Sequence, residues 1–284
     1  MMKLPNRTSE GLITYAIGME GSMIEKARII PYVKPKNKHE PLDVLEIGCG
    51  NGVVLELLAK TFTQSRIVGL DLNDELLDMA KRRTYPSRNV ELVKADALSP
   101  NFREESLDAI VLCSVLHEIK SYGGLEDVVK CLENSHQMLK KGGRLIIRDG
   151  VKPRNQVVHM EFRNNDVRET FYKFVEDFTP YRINYKELGN KKVEISMIDV
   201  NEFLSKKDYK LNWEFEVKEH FGIFNLSEYK QLLEKIGFKV LHIEKYLIPF
   251  LECRYRKDVI LMNKKGEEVN FPASTAIVVG EKLI

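Results

Sequence analysis

Three glycines that alternate with other residues, Gly48, Gly50 and Gly52, constrain this chain more than any other feature. They follow the apolar run Asp43–Ile47, which predicts a buried strand, and precede Val53–Thr61, whose apolar spacing predicts a helix. Glycine lacks the Cβ atom that would hold a ligand away, so such a turn lets the backbone pass close to a bound molecule. The pattern therefore predicts a strand, a turn and a helix that together bind a nucleotide-like ligand.

The order of the remaining elements predicts an α/β fold. Short apolar runs alternate with helical patterns between residues 43 and 149, which is typical of a parallel sheet covered by helices. The expected strands are residues 43–47, 66–70, 90–94, 108–113, 144–148, 239–247 and 274–279. The expected helices are residues 53–61, 74–82, 125–139 and 225–237. These elements predict a doubly wound sheet of seven mostly parallel strands.

The composition indicates an ordinary globular protein and excludes several other classes. With 43% hydrophobic and 30% charged residues, the 284-residue chain is neither disordered nor fibrous. A formal charge of +2 gives no strong nucleic-acid signature. No apolar run is long enough to cross a bilayer and the first residues do not resemble a secretory signal, so we expect a cytoplasmic protein. Scattered cysteines and the absence of an acidic cluster predict no metal site.

Four landmarks occur in an order that matches one family. The stretch from Glu46 to Gly52 reads E-x-G-x-G-x-G and resembles the first motif of class I S-adenosylmethionine-dependent methyltransferases. Residues 68–72, with Asp71, 93–97, with Asp96, and 108–118 resemble the family's later landmarks. The resemblance implies a Rossmann-like fold, S-adenosylmethionine as the cofactor and S-adenosylhomocysteine as its product. A nicotinamide oxidoreductase would have its third glycine at Val53, which speaks against that alternative.

The resemblance implies a set of cofactor-binding residues. Glu46 would lie near the amino end of the methionine moiety, and Asp71 would hold the ribose. Asp71 has an alternative interpretation as an ordinary helix cap, although Asn73 or Asp74 could fill that role. The other expected contacts are Gly48, Cys49, Gly50, Asn51 and Gly52 on the methionine and ribose side, Leu72 beside the ribose, Asp96 and Ala97 at the adenine, and Cys113, Ser114 and His117 after the fourth strand.

The chain divides into four expected regions around this core. Residues 8–34 have apolar side chains at helical spacing, interrupted by Gly18 and Gly21, which predicts an N-terminal helical lid in residues 1–40. Residues 41–150 form the cofactor-binding core, and 225–284 add the last helix and closing strands. The insertion at 151–224 is expected to be a largely helical lid that binds the acceptor, with Asp199 capping one of its helices.

The catalytic residues and the acceptor are less constrained by the sequence. His117 and His220 are candidate general bases, although His117 could simply order its loop and His220 could be an ordinary polar loop residue. Asp149 is a further candidate, with a helix cap as its alternative role. We expect transfer to an oxygen or nitrogen of a small-molecule acceptor, because the lids would enclose a pocket. An RNA or protein methyltransferase and a catalytically silent cofactor-binding subunit remain alternatives, and the oligomeric state stays open.

Overall fold

The computed structural model describes residues 7–86, 89–189 and 191–283. Its main feature is a seven-stranded sheet with the order β3-β2-β1-β4-β5-β11-β9. The strands are β1 Asp43–Ile47, β2 Arg66–Asp71, β3 Val90–Lys94, β4 Leu107–Cys113, β5 Leu139–Gly150, β9 Phe238–Tyr246 and β11 Thr275–Lys282. The first five strands pair in parallel, so the predicted α/β class and strand number are confirmed.

Helices connect and flank these strands. In the first half of the chain they are α1 Ser9–Gly21, α2 Met23–Lys26, α3 Ile30–Val33, α4 Val53–Thr61, α5 Asp74–Lys81 and α6 Leu116–Met138. In the second half they are α7 Asn165–Asp177, α8 Met197–Lys206, α9 Trp213–Glu216, α10 Leu226–Ile236 and α11 Pro249–Asp258. None of the helices in the described ranges has both the length and the apolar character needed to span a bilayer.

The chain divides into two compact units. The described residues of the first unit fall within Met1–Asp149, Ser227–Glu244 and Ile277–Ile284, and those of the second within Gly150–Leu226 and Lys245–Ala276. In the first unit, all seven residues of β4 are buried, as expected for a central parallel strand that is covered on both faces. This burial makes the centre of the sheet a rigid support for the residues at the carboxyl ends of its strands.

The second unit contains a four-stranded antiparallel sheet that the sequence analysis did not anticipate. Its strands follow the order β10-β6-β8-β7, with β6 Val157–Phe162, β7 Tyr185–Gly189, β8 Lys192–Ser196 and β10 Val259–Met262. The expectation of a largely helical insertion was therefore incomplete, because helices α7 and α8 accompany a sheet. Alternate residues of β8 are buried, as expected for a sheet with one covered face. This alternation of apolar and polar residues was present in the sequence.

Three local expectations need correction. Gly18 does not interrupt the first helix, because α1 continues to Gly21. The helix after β4 begins at Leu116 rather than at residue 125 and passes a non-helical residue at Gly124. Helix α8 is capped by Ser196, whose hydroxyl accepts from the backbone N–H of Asp199 at 3.1 Å, so Asp199 is not the cap.

Candidate functional site

The glycine turn joins β1 to α4 in a conformation that favours glycine. Gly48 and Gly52 have φ angles of 72° and 81°, in the left-handed region that other residues rarely adopt. A Cβ atom added to Gly48 would lie 2.6 Å from Cγ2 of Val115, so the turn also needs a small residue at this position. The N–H of Gly48 donates to the carbonyl of Leu70 at 2.8 Å, which fixes the turn against the end of β2.

Asp71 is the last residue of β2, and its carboxylate faces the glycine turn. One oxygen accepts from the N–H of Gly50 at 2.7 Å, and the other accepts from the N–H of Asn73 at 2.8 Å. Burial raises the pKa of Asp71, whereas these backbone N–H groups lower it, with a net upward shift. The cap of α5 is the side chain of Asn73, which accepts from the N–H of Leu76 at 3.0 Å. Asp71 is therefore not needed as the helix cap.

Glu46 is buried within β1, with 2% of its surface exposed. Its Oε2 atom has no hydrogen-bond partner among the described residues. Burial raises the pKa of the Glu46 carboxyl well above its usual value, and the charge of Asp71 adds to this effect, while Lys26 opposes it. A buried acceptor without a partner is costly, so Glu46 is suited to receive a donor from a ligand.

Asp96 and Ala97 follow β3 in a tight turn. The Asp96 side chain accepts from the N–H of Leu98 at 2.9 Å, and the N–H of Ala95 donates to the carbonyl of Asp71 at 3.1 Å. Ala97 is buried, whereas Asp96 is half-buried. This turn lies beside the end of β2 because β3 pairs with β2 in parallel, with Lys94 opposite Asp71.

His117 and Asp149 form a buried pair at the ends of β4 and β5. The Nδ1 atom of His117 lies 2.6 Å from Oδ1 of Asp149, and Oδ2 of Asp149 accepts from the backbone N–H of Leu116 at 2.7 Å. The aspartate thus fixes the first turn of α6 as well as the imidazole ring. Ser114, just before this helix, has a φ angle of 59°, an uncommon conformation for a residue other than glycine.

This arrangement determines the tautomer of His117. Both oxygens of Asp149 act as acceptors, since backbone N–H groups donate to one and the ring nitrogen contacts the other. Nδ1 of His117 must then carry the proton, which leaves the lone pair of the neutral imidazole on Nε2. An imidazole oriented in this way is suited to accept a proton from another group.

Helix α1 lies over the glycine turn. The side-chain amide of Asn51 donates to the carbonyl of Ala16 at 3.3 Å and to Oε1 of Glu20 at 3.0 Å. The guanidinium of Arg83 donates to the carbonyl of Asn51 at 2.9 Å and also pairs with Glu20 and Glu56. Asn51 and Arg83 therefore tie the N-terminal helix to the turn and to α4.

His220 lies in the second compact unit. Its ring packs edge-on against Tyr181, with 5.3 Å between ring centroids, and its Nε2 atom is 3.8 Å from Oε1 of Glu202. Glu202 also accepts from the N–H groups of Phe221 and Gly222 at 3.0 and 2.7 Å, so it fixes the loop that carries His220. The catalytic role of His220 stays a prediction.

Sequence reasoning missed the contacts of Arg83 and the burial of Lys26. Lys26 is 8% exposed although it is charged, and it lies on the helical face of Met23 and Ile30. A charged residue on an otherwise apolar helical face was the signal in the sequence. Arg83 lies beyond the end of α5 and gave no comparable signal, because its partners come from three separate segments.

Comparisons with known proteins agree with this architecture. Residues 45–147, a little over a third of the chain, match the model of a family described as a methyltransferase domain. These residues include the glycine turn, Asp71, Asp96 and His117, and they end within β5. This part of the chain therefore resembles a methyltransferase domain. The glycine turn within the matched residues follows β1, at the carboxyl ends of parallel strands, where open parallel sheets commonly bind ligands.

Relatives of this chain differ in the acceptors that their names give. It is 28% identical over 116 residues to a 2-phytyl-1,4-naphtoquinone methyltransferase from Nostoc. The aligned region covers 39% of this chain and 48% of the relative. It is 28% identical over 160 residues to a fatty-acid O-methyltransferase from Mycolicibacterium smegmatis, covering 56% and 52% respectively. The chain thus spans about half the length of these curated relatives.

A solved structure shares the fold over nearly the whole length. An S-adenosylmethionine-dependent methyltransferase from Mesorhizobium loti has a TM-score of 0.55 with 18% identity, covering 92% of this chain and 97% of that one. At this identity the likeness concerns the fold alone.

Proposed function

We propose that the protein transfers a methyl group from S-adenosylmethionine to an oxygen or nitrogen atom of a small-molecule acceptor. The observation that carries this proposal is the pair of carboxylates, Glu46 and Asp71, beside the glycine turn. Glu46 has a buried oxygen without a partner among the described residues. Each oxygen of Asp71 accepts one backbone N–H and keeps capacity for another donor. The ammonium and ribose hydroxyl groups of the cofactor supply donors of this kind.

The residues around the turn fit the parts of the cofactor in order. Glu46 would hold the amino group, and Asp71 with Leu72 would hold the ribose. Asp96 and Ala97 would contact the adenine, while Cys113, Ser114 and His117 would contact the cofactor from the end of β4. Gly48, Cys49, Gly50, Asn51 and Gly52 would line the methionine and ribose side. Bound S-adenosylmethionine supplies an electrophilic methyl group on a sulfonium. The protein's task is then to orient the acceptor and exclude water.

The pair of His117 and Asp149 favours an acceptor that must lose a proton. Asp149 orients the imidazole through Nδ1, so His117 would remove the proton of a hydroxyl group during attack. The relatives named for a naphtoquinone and for fatty acids act on apolar small molecules. We therefore expect an apolar acceptor with a hydroxyl group, such as a phenol.

Calorimetry with S-adenosylhomocysteine tests the donor site. We expect the unmodified protein to bind with micromolar or tighter affinity. Asp71→Ala should weaken binding at least tenfold, because the ribose loses a charged acceptor worth about 1.5–3 kcal/mol. Asp74→Ala is the matched control, since Asp74 is an exposed carboxylate of the same turn and pairs with Lys94. No binding to the unmodified protein would contradict the proposal.

Transfer of radiolabelled methyl groups tests the acceptor class. The panel contains phenols, reduced naphthoquinones, fatty acids, amines, bulk tRNA and a mixed protein substrate. Labelling of a small molecule supports the proposal. Labelling of tRNA or protein alone would replace it with the macromolecular alternative. Cofactor binding without transfer to any member of the panel would favour a silent cofactor-binding subunit.

A further inference from the structure

Helix α1 packs directly against the glycine turn. The side-chain amide of Asn51 donates to the carbonyl of Ala16 at 3.3 Å and to Oε1 of Glu20 at 3.0 Å. Met19 also lies against the turn, because a Cβ atom added to Gly50 would stand 2.9 Å from Cε of Met19. The space that glycine leaves at this position is therefore filled by a side chain of α1. A ligand can approach Gly50 from this side only after α1 has moved.

The same helix is attached to the segment that follows β4. The hydroxyl of Tyr15 donates to Oε1 of Glu118 at 2.8 Å. Glu118 lies in the first turn of α6, directly after His117. Since β1 and β4 pair in parallel, the glycine turn after β1 and the start of α6 after β4 lie side by side at one edge of the sheet. Helix α1 thus crosses this edge from the glycine turn to the segment that carries His117.

The contacts of α1 form one continuous face of the helix. Tyr15 and Met19 are four residues apart, as are Ala16 and Glu20, so each pair forms one row along the helix. These two rows are adjacent, because Tyr15 and Ala16 are consecutive. Ile17 lies on the opposite side and is 64% exposed, so this outer side of α1 faces solvent. An outward movement of α1 would break the contacts of the inner face together.

We propose that the hydrogen bond between Tyr15 and Glu118 holds α1 over the glycine turn and sets the rate at which the cofactor enters and leaves. This inference rests on the proposed function and deepens it, because it assigns the control of cofactor exchange to one contact. A hydroxyl that donates to a carboxylate forms a charge-assisted bond, which is stronger than a bond between neutral groups. The bond does not involve the cofactor, so it slows entry and release alike.

Binding kinetics test this assignment. Association and dissociation rate constants for S-adenosylhomocysteine are measured by surface plasmon resonance for the unmodified protein, Tyr15→Phe, Glu118→Gln and the double variant. Tyr15→Phe keeps the aromatic ring, whose centroid lies 4.2 Å from the guanidinium carbon of Arg7, and removes only the hydroxyl. Thr14→Val is the matched control, because it removes a hydroxyl from an exposed residue of the same helix.

The expected pattern separates control of exchange from affinity. Tyr15→Phe should raise both rate constants by roughly tenfold, because a hydrogen bond to a charged group is lost in the closed position only. Its Kd should stay within about threefold of the unmodified protein, which also shows that the variant is folded. The double variant should change the rates no more than the larger single effect, since both substitutions remove the same bond. Thr14→Val should leave both rate constants unchanged.

Two results would overturn the inference. Unchanged rate constants in Tyr15→Phe would mean that the hydrogen bond does not control the position of α1. A rise in the dissociation rate constant alone, with a weaker Kd, would mean that the bond stabilises only the bound state. If the unmodified protein did not bind S-adenosylhomocysteine, the proposed function would fail together with this inference, and that outcome is distinct from the other two.

Discussion

Glu46 shows how one residue can link ligand binding to stability. Its pKa is raised in the folded state by burial and by the charge of Asp71, so the folded protein keeps a proton that the unfolded chain releases above its ordinary carboxyl pKa. The unfolded state then binds fewer protons than the folded state. The free energy of unfolding must fall as the pH rises through the window between the two pKa values.

Glu46→Gln removes this dependence on pH. We expect the stability of the variant, relative to that of the unmodified protein, to increase as the pH rises from 5 to 8. The unmodified protein loses up to about 1.4 kcal/mol of its free energy of unfolding per pH unit, whereas glutamine has no proton to release. Urea unfolding of both proteins at the two pH values measures the effect. Glu75→Gln is the control, since Glu75 is an exposed carboxylate of α5. A stability difference that is the same at both pH values would contradict the explanation.

A second prediction concerns His117, which contacts Asp149. His117→Gln should lower kcat with a hydroxyl acceptor by roughly 10²- to 10⁴-fold, because the proton acceptor is lost. The affinity for S-adenosylhomocysteine should change much less. His39→Gln, at an exposed position, provides the control for kcat. An unchanged kcat would assign His117 to the ordering of α6 alone.

Helix α8 carries a buried ion pair that stabilises the second unit. Lys206 and Glu202 are both buried, with 2.6 Å between Nζ and Oε2, and Glu202 also holds the loop at Phe221 and Gly222. Burial opposes ionisation of Glu202, but the charge of Lys206 and these hydrogen bonds lower its pKa overall. The helix thus depends on both members of the pair.

Removing one member of this pair should lower the free energy of unfolding of the second unit more than removing both members. We expect Glu202→Gln to destabilise the second unit by about 3–5 kcal/mol, because Lys206 keeps a buried charge without its counter-ion. The double variant Glu202→Gln/Lys206→Met should recover part of this loss. Urea unfolding monitored by limited proteolysis of the second unit measures both effects. Glu252→Gln breaks the exposed pair with Arg256 as a control and should change stability by less than about 1 kcal/mol.

At the scale of the whole molecule, cofactor binding should be visible in the stability of the first unit. A ligand that binds only the folded state adds about 2.7 kcal/mol at one hundred times its Kd. We expect S-adenosylhomocysteine to raise Tm and to slow hydrogen exchange in the glycine turn and in α1. The protection of α1 should be reduced in Arg83→Met, which loses the link to Glu20 and Glu56. Unchanged exchange in α1 would contradict its role as a lid.

Much of the first unit was predictable because its signals are local. The glycine turn, the burial of its strands and the stop at Gly237 each depend on a few neighbouring residues, and β1, β3 and α4 have the predicted bounds. The antiparallel sheet was missed because its strands come from separate parts of the chain. One of them, β10, comes from beyond the predicted insertion and pairs Val259 with Phe162. Residue spacing within one segment carries no information about such a partner.

The sequence by itself determined the α/β class, the seven-stranded sheet and the resemblance to methyltransferases, since periodicity and the glycine motif are local properties of the chain. Only the tertiary structure decided that Asp149 orients His117 and that Arg83 joins α1 to the glycine turn. These groups come from separate segments and approach one another only after the strands have paired. Their energies depend on burial and distance, and both are properties of the folded chain rather than of any local pattern.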